Sequence, residues 1–189
     1  MGTVCTNCPV LSERIHYMHK CIGAIPSPFD CFLMIRSIKT LSIRLERINF
    51  NALKVAEFLS KHNKIEKVIY AGLPTHKDHE LQKSQLRKGL GVGFGGVVTI
   101  YVKGNITETC SFMTNLKVFT LAESLGAVES LANHPAIMTH SSVDPEVRKE
   151  LEIYDHMVRL SVGIEDIEDL LKDLDQALNN MSSKPRVKF

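Results

Sequence analysis

Apolar residues in this chain recur with two periods, and each period marks an element. From Phe29 to His62 the spacing is helical: Ile38, Leu41, Leu45, Ile48, Ala52, Val55, Ala56 and Leu59 return to one face. Arg44, Glu46, Arg47, Lys54, Glu57 and Lys61 fill the other positions. This predicts a long amphipathic helix or a kinked pair, and the length suggests a bridge between two bodies of structure. Leu11 to Lys20 reads as a shorter helix with Ser12 as its N-cap. Gly23, Pro26 and Pro28 then stop helical continuation. Near the other end, Ile164, Ile167, Leu170, Leu171, Leu174 and Leu178 form one apolar stripe of a last helix. Glu165 and Asp166 in its expected first turn suit the helix dipole. Thr107–Leu116 and Pro145–Leu151 also read as helices.

The second period is that of the strand. Ile65–Tyr70, Gly96–Val102, Val118–Leu121 and Met157–Val162 are short, rich in β-branched or apolar residues and bounded by turn formers. Strands and helices in turn predict an α/β or α+β sandwich of a sheet on helices. In Met157–Val162, alternation puts Val158, Leu160 and Val162 on one face and Arg159 with Ser161 on the other. That second face is either simply solvated or a place where a guanidinium is held out to a carboxylate, which its planar fork binds with two hydrogen bonds. The turn around Glu123 and Ser124 sets short polar groups just after a strand, within reach of a ligand. Residues 179–189 are expected to fray.

Composition narrows the function classes. Of the 189 residues 44% are hydrophobic, enough for a packed core. The 23 Lys and Arg nearly balance the 21 Asp and Glu, and the basic residues are interleaved with acids. This argues against a dedicated nucleic-acid surface, which needs a clustered basic excess. No stretch approaches the roughly 20 apolar residues that span a bilayer. Five cysteines and no visible secretion signal suggest free thiols in a reducing, cytoplasmic setting. Cys5 and Cys8 form a CxxC, followed by Cys21 and Cys31, but the spacing is wrong for a zinc site, and small buried side chains are the simpler reading. Gly91–Gly96 matches the spacing of a dinucleotide-binding loop. A polar segment precedes it and a strand follows it, the reverse of what that loop requires, so a flexible loop or bulge is expected. His62, His76, His79, His134 and His140 lack ligand spacing, so no metal site is assigned.

Longer stretches carry a family resemblance. GAIPSPFDCF (23–32), KTL (39–41), GLPTHKDHEL (72–81), NLKVFTLAESLGAVESLANHPAIMTHSSV (115–143) and RLSVGIEDIEDLLKDLDQAL (159–178) strongly resemble the Cys/Met-metabolism family of pyridoxal-phosphate enzymes. FTLAESLG followed by HPAIMTH and RLSVGIED is a long and specific combination, and the resemblance runs from about residue 1 to 179. It implies the small C-terminal domain of an aspartate-aminotransferase-type architecture, with an antiparallel sheet, helices on one face and a long helix in front. It divides the chain into a remnant of the cofactor domain (1–30), an interdomain helix (31–62), the C-terminal α/β domain (63–179) and a frayed tail (180–189). It further implies a cytoplasmic homotetramer that uses pyridoxal 5'-phosphate to break the carbon–sulfur bond of cystathionine, giving cysteine, 2-oxobutyrate and ammonia in transsulfuration.

The resemblance also implies roles. Arg159 grips the substrate α-carboxylate, Ser124 stands beside it, Glu123 lines the distal, specificity-setting part of the pocket, and Thr139 borders that pocket. The Schiff-base lysine of the family lies in a motif that would precede Met1. Lys20, Lys39 and Lys54 sit in other contexts, so no catalytic residue is assigned in this chain and its cofactor-binding residues stay unassigned. On this basis the chain alone is expected to be inactive and not to hold the cofactor. The chain departs from the family pattern at Ser37-Ile38, Ile48, Ala71 and Tyr154-Asp155-His156. Three readings follow: a part of an active lyase, a non-catalytic short form that associates with full-length subunits, or a part of a sibling such as the synthase that makes cystathionine.

Overall fold

The computed structural model describes residues 2–86 and 93–183. It divides into two compact units, residues 1–41 and 42–189.

The first unit holds two helices, α1 (Pro9–Ile22) and α2 (Pro28–Ile38). The cap of α1 is Cys8 rather than Ser12, which lies one turn inside the helix and sends its N–H to the Cys8 carbonyl. Pro9 explains the shift, because its fixed φ and missing N–H suit the first helical position. Gly23 closes α1 at φ 69°, a left-handed conformation that glycine adopts at little cost. Ser27 caps α2 by accepting the Asp30 N–H. Neither helix buries a residue. Cys5, Cys8 and Cys21 are exposed and Cys31 is half-buried, which corrects the expectation of buried thiols.

The apolar run 29–62 is two helices rather than one. Thr40 closes a turn after α2 with both its N–H and its hydroxyl on the Ser37 carbonyl. The next helix, α3, runs Leu41–Lys61. The contact boundary falls between residues 41 and 42, so α3 belongs with the sheet-bearing unit. Its Ala52, Val55, Ala56 and Leu59 are fully buried in that unit's core.

The second unit adds strands β1 (Ile65–Ile69), β2 (Val97–Val102), β3 (Thr120–Leu121), β4 (Leu131–Asn133) and β5 (Met157–Ser161). Its further helices are α4 (His79–Gln85), α5 (Ile106–Asn115), α6 (Pro145–Glu150) and α7 (Ile167–Asn179). The sheet order is β1-β2-β5-β4-β3. Three neighbouring pairs are antiparallel and β3 runs parallel to β4, so the sheet is mixed, not antiparallel throughout as expected. The reason is local: residues 122–130 carry the chain from the end of β3 back to the start of β4 without a tight hairpin. Val98, Ile100, Val158, Leu160 and Ala132 of the sheet join α3, α5 and α7 residues in one apolar core.

Helix α7 begins at Ile167, three residues later than the apolar stripe suggests, because Asp166 is its N-cap and accepts the Glu168 N–H. Asp173 of α7 is buried and accepts the N–H groups of Lys117, Val118 and Phe119 at 2.8–3.0 Å. This fixes the approach to β3. Residues 180–183 are not frayed as expected: Met181 packs on the core and the Ser182 N–H reaches Ser111 Oγ. Residues 184–189, Gly91 and Val92 lie outside the described residues. No described helix is long and apolar enough to cross a membrane.

Candidate carboxylate-binding site

The pairing of β5 builds a row across the sheet. Arg159 stands opposite Thr99 of β2 on one side and Asn133 of β4 on the other. Directly opposed residues project to the same face, so these three side chains share the face away from the apolar core. Val158 and Leu160, the neighbours of Arg159, are fully buried on the other face, as alternation requires. The arginine is therefore held by a rigid strand while remaining only half-buried.

Arg159 Nη2 donates to the backbone carbonyl of Glu123 at 3.0 Å. Arg159 and Glu123 are thus adjacent. The Glu123 carbonyl, not its carboxylate, receives the arginine, and both Glu123 and Ser124 are exposed. Thr139 joins through a neighbour: its hydroxyl donates to Asn133 Oδ1 at 3.4 Å and lies 2.8 Å from His140 Nδ1. A hydroxyl has one proton, so it donates to only one of these at a time. Asn133 is buried, and its carboxamide also approaches Met138 Sδ at 3.7 Å.

Two residues that the sequence reading left unassigned complete the arrangement. Asn133 links Thr139 to the arginine row, and it belongs to β4, a three-residue strand too short to show any alternation. Ser161 shares the Arg159 face by the same alternation that singles out the arginine, and it accepts the Gly126 N–H at 2.9 Å. Its signal was present in the sequence without a stated role.

The histidines are dispersed. His62 lies 3.5 Å from Asp175, and His76 accepts the Asp78 N–H. His79 stacks on Phe94, and His134 contacts the Asp155 carbonyl. Among the described residues no group of three His, Cys, Asp or Glu side chains is placed to hold a metal. Burial lifts the Tyr70 phenol to about 12, and it donates to the Gly95 carbonyl, fixing that glycine before β2.

The chemistry assembled on this face is that of anion recognition. A planar cation on a rigid strand sits beside short polar groups on a turn, and together they suit a carboxylate-bearing small molecule. No lysine amine is among these assembled side chains, so the face fits a substrate carboxylate and supplies no covalent anchor for a carbonyl cofactor.

The chain belongs to the Cys/Met-metabolism family of pyridoxal-phosphate-dependent enzymes, whose model matches residues 1–179. It is 51% identical over 179 residues to a cystathionine gamma-lyase of Dictyostelium discoideum, covering 95% of this chain and 45% of that protein. It is 52% identical to the human cystathionine gamma-lyase, covering 94% and 43%. Among solved structures, yeast cystathionine gamma-lyase superposes with a TM-score of 0.84 at 42% identity over 93% of this chain and 44% of that one. A cystathionine gamma synthase from Xanthomonas oryzae pv. oryzae, in complex with cystathionine, gives 0.82 at 39% identity over 93% and 44%. The chain spans less than half the length of the relatives it matches.

Proposed function

We propose that this chain supplies the substrate-carboxylate grip of a pyridoxal-phosphate-dependent carbon–sulfur lyase acting on cystathionine. The observation that carries the reading is Arg159, held on the open face of a strand and bonded to the turn that bears Glu123 and Ser124. An incoming carboxylate meets the planar guanidinium fork of Arg159 and competes for it with the Glu123 carbonyl. Ser124 offers a hydroxyl next to that carboxylate. The exposed Glu123 carboxylate faces the part of the substrate remote from it and favours a distal ammonium group. Thr139, oriented through Asn133, closes the same side. When bound in the whole enzyme, the cofactor supplies the electron-withdrawing ring on which carbon–sulfur cleavage depends. The residues here bind and orient.

The lyase activity is favoured over the synthase one by the 51–52% identities to gamma-lyases of two distant organisms. In a full-length subunit carrying this chain, Arg159→Lys keeps the charge and loses the fork. It is expected to cost about 1–3 kcal/mol of carboxylate recognition, seen as a roughly tenfold rise in KM for cystathionine, with Tm little changed. A variant with wild-type KM and turnover removes Arg159 from the site.

A further inference from the structure

The turn that carries Glu123 and Ser124 has no regular structure of its own. Residues 122–130 are mostly exposed, yet they are fastened at four points to one stretch of chain, residues 159–165. Arg159 Nη2 reaches the Glu123 carbonyl at 3.0 Å, and the Gly126 N–H reaches Ser161 Oγ at 2.9 Å. The Ile164 N–H reaches the Val128 carbonyl at 2.8 Å. The Ser130 N–H and hydroxyl reach the Glu165 carboxylate at 2.6 and 2.8 Å. The last two fix the far end of the turn, where Ser130 is fully buried. At the end that bears Glu123 and Ser124 the Ala122 N–H is anchored on the Ala132 carbonyl, and beyond it Arg159 and Ser161 are the tethers from residues 159–165.

These two tethers differ in kind. Arg159 is half-buried and carries the charge a ligand would claim, so a bound carboxylate competes with the Glu123 carbonyl for it. Ser161 is 3% exposed, shielded from water, and sits two residues along the same strand face. Its partner Gly126 has φ +80°, a left-handed conformation that turns the N–H inward and that side chains rarely adopt. The bond from Gly126 to Ser161 therefore persists whether or not Arg159 is engaged.

We propose that Ser161 is a positioning residue: through the Gly126 N–H it keeps Ser124 and Glu123 beside Arg159 when the guanidinium turns to the substrate carboxylate. The inference rests on the reading of Arg159 as the carboxylate grip.

The test uses a full-length subunit carrying this chain, with Ser161→Ala and Ser161→Thr. Loss of one hydrogen bond of ordinary strength corresponds to roughly a fivefold effect. In the alanine variant KM for cystathionine is expected to rise about fivefold with kcat within about twofold. Hydrogen exchange at the Gly126 amide should quicken by a similar or larger factor, while the Ile164 amide keeps its protection. Threonine, which retains the hydroxyl, should restore both readouts. Ser161→Cys, similar in size and a weaker acceptor, serves where the alanine variant does not accumulate as folded protein. An unchanged KM in Ser161→Ala overturns the inference alone, even if Gly126 exchanges faster, because the turn's position would then be irrelevant to binding. Unaltered Gly126 exchange overturns it as well. An unchanged KM in Arg159→Lys takes down the carboxylate reading and this inference with it.

Discussion

In α1 and α2 no residue is buried, although Leu11, Ile15, Met18 and Ile22 follow a helical stripe and Phe29, Phe32, Leu33 and Ile35 crowd a single helix. In α3, a comparable stripe is sunk completely, with Ala52, Val55, Ala56 and Leu59 at 0% exposure. The periodicity of a sequence therefore states which face of a helix is apolar, and nothing about what covers it. In the described residues from 42 on, the cover is the rest of the unit: five strands, α3, α5 and α7 enclose one core. In residues 2–41 the helices are defined by local chemistry instead. Pro9, Gly23, Ser27 and Pro28 start and stop them without tertiary help.

The comparison breaks most sharply on matched truncations. Leu160→Ala empties a fully buried site in the middle of the sheet and is expected to cost about 2–5 kcal/mol. Phe32→Ala removes a larger side chain that is 60% exposed and is expected to stay within about 0.5 kcal/mol. Urea unfolding followed by the far-ultraviolet signal measures both. A Phe32 variant as costly as the Leu160 variant would mean that the first unit buries its stripe in solution.

What the sequence made legible follows the same division. Strand β5 was readable because its alternation is strict, and that alternation alone put Arg159 and Ser161 on one face. The helix pair of 29–62 was readable as apolar spacing, but the break at Thr40 was not, since a turn closed by a threonine hydroxyl leaves the period almost intact. Strand β4 escaped because Leu131, Ala132 and Asn133 are all buried and so show no two-residue rhythm. Its parallel pairing with β3 is a property of the connection and not of either strand. Helix α4 escaped for the opposite reason: seven mostly polar residues with no buried member carry no apolar stripe. At the site, alternation and a polar turn singled out Arg159, Glu123 and Ser124, while their roles and Thr139 came from family resemblance. The structure sets Arg159 beside the Glu123 carbonyl and reaches Thr139 only through Asn133, a residue the pattern did not single out.

A polar substitution sharpens the contrast. Asp173 accepts three backbone N–H groups in a buried place, tying α7 to residues 117–119. Asp173→Ala strands those donors and is expected to cost about 3 kcal/mol. Asp30, in the exposed first turn of α2, has only the helix dipole to gain from, so Asp30→Ala is expected to cost about 0.5 kcal/mol or less. Thermal unfolding of the two variants measures the difference. Equal shifts would show that the three bonds of Asp173 are replaced by water at no cost.

The smallest effect concerns the one histidine buried in the core of the second unit's sheet end. His134 is 1% exposed, its Nε2 lies 2.9 Å from the Asp155 carbonyl, and its Nδ1 has no partner among the described residues. Burial pulls its pKa below the ordinary value, and the Asp155 carbonyl opposes that pull only in part. The unfolded chain, with histidine near 6.5, then binds a proton more readily than the folded one. His134 contributes full stability above pH of about 6.5, and its contribution is lost as pH falls below that value toward the lowered folded pKa. His134→Leu removes the titration while keeping an apolar side chain in place. Urea midpoints for both proteins between pH 5 and 8 isolate the effect as a difference: wild type should lose ground to the leucine variant on acidification. A difference that stays flat across that range would mean that the imidazole finds solvent or a partner on protonation, and that this end of β4 is less closed than the rest of the core.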